Sequence, residues 1–156
     1  MLNNNGGVIM LIEKLNDDIK TSMREKNSEK LLALRTLYSD VKNIAIKSGR
    51  KDLNDDDVIT AAQKAIKQRT DSAEQFRTGG RNELAQVEET QAEYFRVYLP
   101  VQFSSEELSA IISETISSLD ATSKKEMGKV MKELAPKIKG KANMKEVNQI
   151  ISSMLV

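Results

Sequence analysis

Apolar residues recur along this chain at intervals of three and four, the spacing that gathers them on one face of an α-helix. Leu11, Ile12, Leu15, Ile19 and Met23 form the first stripe. A second helix is expected from Asn27 or Ser28, with Leu31, Leu34, Tyr38, Val41 and Ala45 on one face and Leu37 and Ile44 beside it, ending at Ser48-Gly49. Asn54 opens a third, and Asp57 stands three residues later, an acidic variant of the capping box. That helix carries Val58, Ile59, Ala62, Ile66, Ala73 and Phe76 and breaks at Gly79-Gly80. The fourth runs through Leu84, Val87, Gln91, Phe95 and Tyr98, with Tyr94 at its side, until Pro100 stops it.

The short segment LPVQFS then separates two helical regions and is the best candidate boundary. Ser104 with Glu107 makes a capping box, and Phe103 and Leu108 have hydrophobic-staple spacing. The fifth helix carries Leu108, Ile111, Ile112, Thr115, Ile116 and Leu119. Ser123 with Glu126 makes another box, followed by Met127, Val130, Met131 and Leu134. A break or tight kink is expected at Pro136, whose ring would clash with the carbonyl of Lys132. Asn143 with Glu146 caps a last helix carrying Val147, Ile150, Ile151, Met154 and Leu155. No segment alternates with the period of a strand. The expected fold is all-α, with an N-terminal four-helix domain over 10–99 and a small C-terminal three-helix domain over 100–156. Residues 1–9, before Met10, are expected to be a tag or leader, disordered and outside the fold.

Composition narrows the chemistry. The chain of 156 residues has no cysteine and no histidine. Disulfides, thiolate zinc sites, cysteine nucleophiles, imidazole ligands and the commonest general base are therefore excluded. No apolar run approaches the roughly 18 residues of a membrane span, the N-terminus does not read as a signal peptide, and a cytoplasmic protein is expected. Neither GxxxxGK[ST] nor GxGxxG occurs. Asp55, Asp56 and Asp57 read as an acidic first turn rather than a metal site. Glu88 and Glu89 diverge by about 100° on a helix and read as solvated surface. No self-sufficient catalytic site and no cofactor are expected.

Charge is informative only locally. The net charge is +1, from 24 basic and 23 acidic residues. Between positions 124 and 145, however, there are eight lysines and two glutamates, a local +6, whereas positions 101–120 hold four acids and no base. A face of this kind can hold phosphates through point charges, although lysines also solubilise ordinary amphipathic helices. The candidate RNA-binding residues are Lys129, Lys132, Lys137, Lys139, Lys141, Lys145 and Asn148. With aromatic residues at only 4%, little base stacking is available. A secondary basic patch is Lys64, Lys67 and Gln68, at i, i+3 and i+4. Arg35 and Arg69 border apolar stripes and are expected to pair structurally, with Asp71 and Glu74 as local partners. Gly140 reads as a residue just past a helix end, Ala142 as a point of close approach and Asn143 as an N-cap. Asn148 has no such local reason.

Several of these residues fall in a familiar order. Gly128-Lys129-Val130-Met131, Gly140-Lys141-Ala142-Asn143 and Val147-Asn148 resemble the tail domain of the GatB subunit of the glutamyl-tRNA amidotransferase. The stretch KQRTDSAEQFRTGGRNELA, beginning at Lys67, and the junction Tyr98-Leu99-Pro100 resemble the stand-alone YqeY-like proteins. Together the likeness to the GatB/YqeY family covers nearly the whole chain from Met10. It implies a helical N-terminal domain followed by a three-helix tail. It also implies a neighbourhood of function, since the amidotransferase converts misacylated glutamyl- or aspartyl-tRNA to the amide with glutamine and ATP, and its GatB tail is associated with tRNA. The catalytic cradle for ATP and Mg²⁺ has no counterpart in this sequence. The family's label, carbon–nitrogen ligase with glutamine as amido-N-donor, thus describes the parent complex. The reading carried forward is a non-catalytic tRNA- or RNA-binding or adaptor protein. Two others stay open: ligase activity or an accessory role in tRNA-dependent amidotransfer, with an amidotransferase as partner, and a protein–protein interaction module.

Overall fold

The structure, a computed structural model, describes residues 10–156. The tag or leader expected over 1–9 lies outside the described residues. The described chain forms seven α-helices and no strand. It divides into two compact units, one ending at Leu99 and the other spanning Pro100–Val156. No helix among the described residues is long and apolar enough to cross a membrane.

The first unit holds α1 (Leu11–Arg24), α2 (Ser28–Lys47), α3 (Asp55–Thr78) and α4 (Asn82–Arg96). Local chemistry sets most of the helix ends. Asn27 Oδ1 accepts from the amide of Lys30 at 3.2 Å and starts α2. Asn54 and Asp57 form a complete capping box at the head of α3. Gly49 and Gly80 follow α2 and α3 in the left-handed region, with φ +72° and +75°, where a side chain would be strained. The stripes converge on one core built from Leu15, Leu34, Leu37, Val41, Val58, Ala62, Ile66, Phe95 and Tyr98. Tyr98 is fully buried yet polar, so its hydroxyl needs a partner. It donates to Oδ2 of Asp18 on α1 at 2.5 Å.

Within the acidic triplet Asp56 is exposed, Asp55 half-buried and Asp57 buried. Asp57 is 3% exposed. Its carboxylate receives Arg50 Nη1 and Nη2 at 2.9 and 2.6 Å and the amide of Asn54 at 3.0 Å. The bond to Asp57 holds the Arg50 guanidinium above its usual pKa. Asp55 meanwhile reaches α1, where its Oδ1 accepts from the amide of Leu11 at 2.8 Å. Met10, at the N-cap of α1, supplies no side-chain acceptor, so Asp55 caps a helix that begins 44 residues earlier.

Two expectations are corrected along the α3–α4 hairpin. Arg69 pairs with Glu88 of α4 at 3.4 Å, not with Asp71 or Glu74, and Asp71 is taken by Lys67 at 2.7 Å. Arg77 pairs with Glu89. Glu88 and Glu89 are thus half-buried ion-pair partners rather than solvated surface. Adjacent helical positions diverge, but each faces an arginine on a different turn of α3. Arg35 is also corrected: it is exposed, and its Nη2 donates to Met23 Sδ at 3.7 Å.

The second unit holds α5 (Ser105–Ser118), a 3-10 turn (Lys124–Glu126), α6 (Met127–Ile138) and α7 (Met144–Met154). Its core is Leu108, Ile112, Ala121, Val130, Leu134, Ile138, Ala142, Val147, Ile151 and Leu155. Both expected capping boxes, Ser104 with Glu107 and Ser123 with Glu126, are present. Of the break or tight kink expected at Pro136, the break is absent: α6 continues through it to Ile138. Pro136 removes one amide near the end of the helix, where only two further residues depend on the turn. Asn143 does cap α7, accepting from the amide of Lys145 at 2.8 Å. Glu146 does not complete a box there. It accepts from Ser105 Oγ of α5 at 2.7 Å, a tertiary contact that ties α7 to α5.

Candidate nucleic-acid interface

The lysines lie where the second unit has no core to build. Val130, Leu134 and Ile138 turn one side of α6 inward. At 100° per residue, Lys129 and Lys132 fall on the opposite side, and both are exposed. Lys129 Nζ also reaches the carbonyl of Leu119, which closes α5, at 3.5 Å. Lys137 lies about 80° further round α6 than Lys129 and approaches Glu133 at 4.0 Å.

Past the end of α6 the chain turns at Gly140, whose φ of +74° favours glycine. The turn is well tied. Gln102 Nε2 donates to the carbonyl of Gly140 at 2.7 Å, and the amide of Phe103 donates to the carbonyl of Lys141 at 2.9 Å. Lys141 Nζ stands 5.6 Å from the centre of the Phe103 ring, a cation–π arrangement that holds the ammonium near the surface. Lys139 and Lys141 flank Gly140, and both are exposed. Lys145 and Asn148 lie one turn apart on the exposed side of α7, whose inward side carries Val147 and Ile151. The candidate residues therefore form three exposed groups, on α6, around Gly140 and on α7. Lys64, Lys67 and Gln68 belong to the first unit, on the exposed side of α3, with Lys67 partly neutralised by Asp71.

Electrostatics inside the basic run follow one acid closely. Glu126 accepts amides from Thr122 and Ser123 at 2.7 and 3.1 Å. These bonds, with Lys129 adding a smaller pull, hold its carboxyl below the usual range. It stays ionised for structural reasons and offsets part of the lysine charge.

No group of three or more acidic, histidine or cysteine residues could hold a metal among the described residues. A shallow groove of about 420 Å³ beside α4 is lined by Thr70, Glu89, Glu93, Tyr94 and neighbours. Glu89 pairs with Arg77 there.

Comparison with known proteins places the chain. The family described as Yqey-like protein matches residues 12–155. A protein of Pyrenophora tritici-repentis named "Altered inheritance of mitochondria protein 41, mitochondrial" is 28% identical over 136 residues, covering 85% of this chain and 74% of that protein. Proteins of the same name from Clavispora lusitaniae and Lachancea thermotolerans are 30% and 32% identical, over 71% and 69% of this chain. The chain spans less than two thirds of each of these two, at 65% and 59%. The cytoplasmic location expected from the sequence is corrected by these relatives, which are named as mitochondrial proteins. A cysteine-free composition and the lack of a spanning helix do not distinguish one compartment from another.

Proposed function

The chain belongs to the YqeY-like family, and from that premise we propose that it is a non-catalytic RNA-binding or adaptor protein, with tRNA as the RNA. In this reading 10–99 is a four-helix scaffold. Residues 100–156 form a three-helix domain akin to the tail of the GatB subunit of the tRNA-dependent amidotransferase. The single observation that carries the reading is the arrangement of charge in the second unit. Lys129, Lys132, Lys139, Lys141 and Lys145 are all exposed on α6, α7 and the turn between them, while the acids at 106, 107, 114 and 120 lie on or next to α5. Lysines so placed meet phosphates as point charges, and their contribution is set by counterion release. Asn148, one turn from Lys145, is placed to meet a sugar or a base edge.

The test is binding of total tRNA to the full chain, titrated across salt. The expected result is a linear fall of log affinity with log salt, of about 0.7–0.9 per phosphate contacted. The slope becomes shallower when Lys139 and Lys141 are reversed to glutamate. Binding that survives this reversal unchanged, or no binding near physiological salt, overturns the reading.

A further inference from the structure

Gly128 sits in the first turn of α6 for no reason internal to the fold. Gly49, Gly80 and Gly140 have positive φ, but Gly128 is not among the positive-φ residues. A Cβ built on it meets nothing within 4 Å. Glycine inside a helix costs stability relative to alanine, and Gly128, the second residue of α6, brings no side-chain contact in return. The surface neighbours of a helical residue lie three and four positions away. Along α6 these are Met131 and Lys132, while Lys124 and Lys125 precede Gly128 in the 3-10 turn Lys124–Glu126. The three lysines are exposed and Met131 is half-buried. The result is a bare stretch of helix backbone with an exposed lysine one turn on and two exposed lysines in the 3-10 turn before it.

We infer that a phosphodiester strand crosses α6 at Gly128, its backbone pressed against the helix surface and its phosphates paired with Lys124, Lys125 and Lys132. The inference rests on the RNA-binding reading above and sharpens it by adding Gly128, Lys124 and Lys125 to the contact surface. The chemistry favours a nucleic acid over an acidic protein. A protein partner carries its carboxylates on side-chain stalks that reach lysines without bringing the two backbones together. In a nucleic acid the charge lies on the backbone itself, so pairing with the lysines draws that backbone onto the helix, where a Cβ would stand in its way.

The experiment compares the full-length wild type, Gly128→Ala, Gly128→Leu and Lys132→Gln for total-tRNA binding by fluorescence anisotropy at several salt concentrations. Gly128→Leu is expected to weaken binding about tenfold, the loss of one well-made contact, with the salt slope unchanged because every lysine remains. Gly128→Ala falls between the two, while its melting temperature equals or exceeds that of the wild type, which rules out unfolding as the cause. Lys132→Gln lowers the salt slope by about 0.7–0.9. If the wild type binds and Gly128→Leu binds equally well, the crossing point is wrong and the RNA reading stands. If the wild type does not bind tRNA, both fall.

Discussion

The hydroxyl of Tyr98 donates to Oδ2 of Asp18 at 2.5 Å, joining the turn that closes α4 to the middle of α1 across 80 positions of sequence. Lys14 completes the cluster, with its Nζ 3.4 Å from the same carboxylate oxygen and 5.6 Å from the centre of the Tyr98 ring. The ring is fully buried in the core of the first unit. Burial raises the phenol's pKa, and the bond to Asp18 and that residue's charge raise it further. A group whose pKa is raised on folding stabilises the fold fully below its unfolded value, here about 10, and loses that contribution as pH climbs towards the folded value. Tyr98→Phe is expected to lose about 1–2 kcal/mol at neutral pH. The gap between wild type and variant, read from urea midpoints, should narrow as pH rises from about 9 to about 11. A gap constant across that range refutes the assignment.

Asp57 combines two duties in one carboxylate, accepting the Asn54 amide of its capping box and both guanidinium nitrogens of Arg50. Asp57→Ala is expected to cost about 2 kcal/mol or more, a lost cap compounded by a lost charge-assisted pair. Asp57→Asn should fall between, since an amide oxygen can still accept one bond while the charge is gone. Equal stability of all three proteins in urea melts would show that Arg50 finds an equivalent partner elsewhere.

Glu126 makes the opposite pH prediction to Tyr98. Its pKa is lowered in the fold by the amides of Thr122 and Ser123. A carboxyl depressed on folding stabilises the protein above its unfolded value and loses that stabilisation as pH falls through the folded value. Acid unfolding of the second unit should therefore begin at higher pH in Glu126→Ala than in the wild type. Tracking the methyl signals of Val130 and Leu134 by NMR through an acid titration distinguishes the two. Identical profiles would remove Glu126 from the account.

Much of this fold is legible in the sequence because much of it is local. The boxes at Asn54, Ser104 and Ser123 link residues three apart, and the stripes that fill the two cores follow the helical period. What was not legible depends on which helices meet. Asp55 looks like an acid in its own first turn until the start of α1 is found against it. Glu88 and Glu89 look solvated until Arg69 and Arg77 are found facing them. Glu146 has box spacing from Asn143, yet Ser105 on α5 is the partner it takes. The candidate site divides in the same way. That its lysines avoid the core follows from the period, but the stacking of Lys141 on Phe103 and the tie from Gln102 to Gly140 join segments about 40 positions apart.

Pro136 offers a test of a rule that fails at its own margin. The ring removes one backbone donor, yet α6 persists to Ile138. Pro136→Ala restores the amide and relieves the crowding against Lys132, and it should stabilise the second unit by less than the ~3 kcal/mol that a proline costs in a helix interior, since Pro136 lies in the last turn. Amide exchange at Lys137 and Ile138 should slow accordingly. Destabilisation would mean that the proline fixes the path into the Gly140 turn, so that its restriction of the chain outweighs the missing bond.

The cap that Asp55 provides for α1 can be tested apart from the rest of the triplet. Leu11 donates to it at 2.8 Å, and Met10 offers no acceptor in its place. The first amides of a helix have no partners within it, so removing Asp55 leaves Leu11 dependent on water. Asp55→Ala should cost about 0.5–2 kcal/mol, the usual worth of an N-cap. The loss should show as faster amide exchange at Leu11, with the protection of the α3 amides near Val58 retained. Asp55→Asn keeps an acceptor oxygen and should preserve most of the protection. If Asp55→Ala instead exposes the amides at the head of α3, the residue serves its own helix and the link to α1 is incidental.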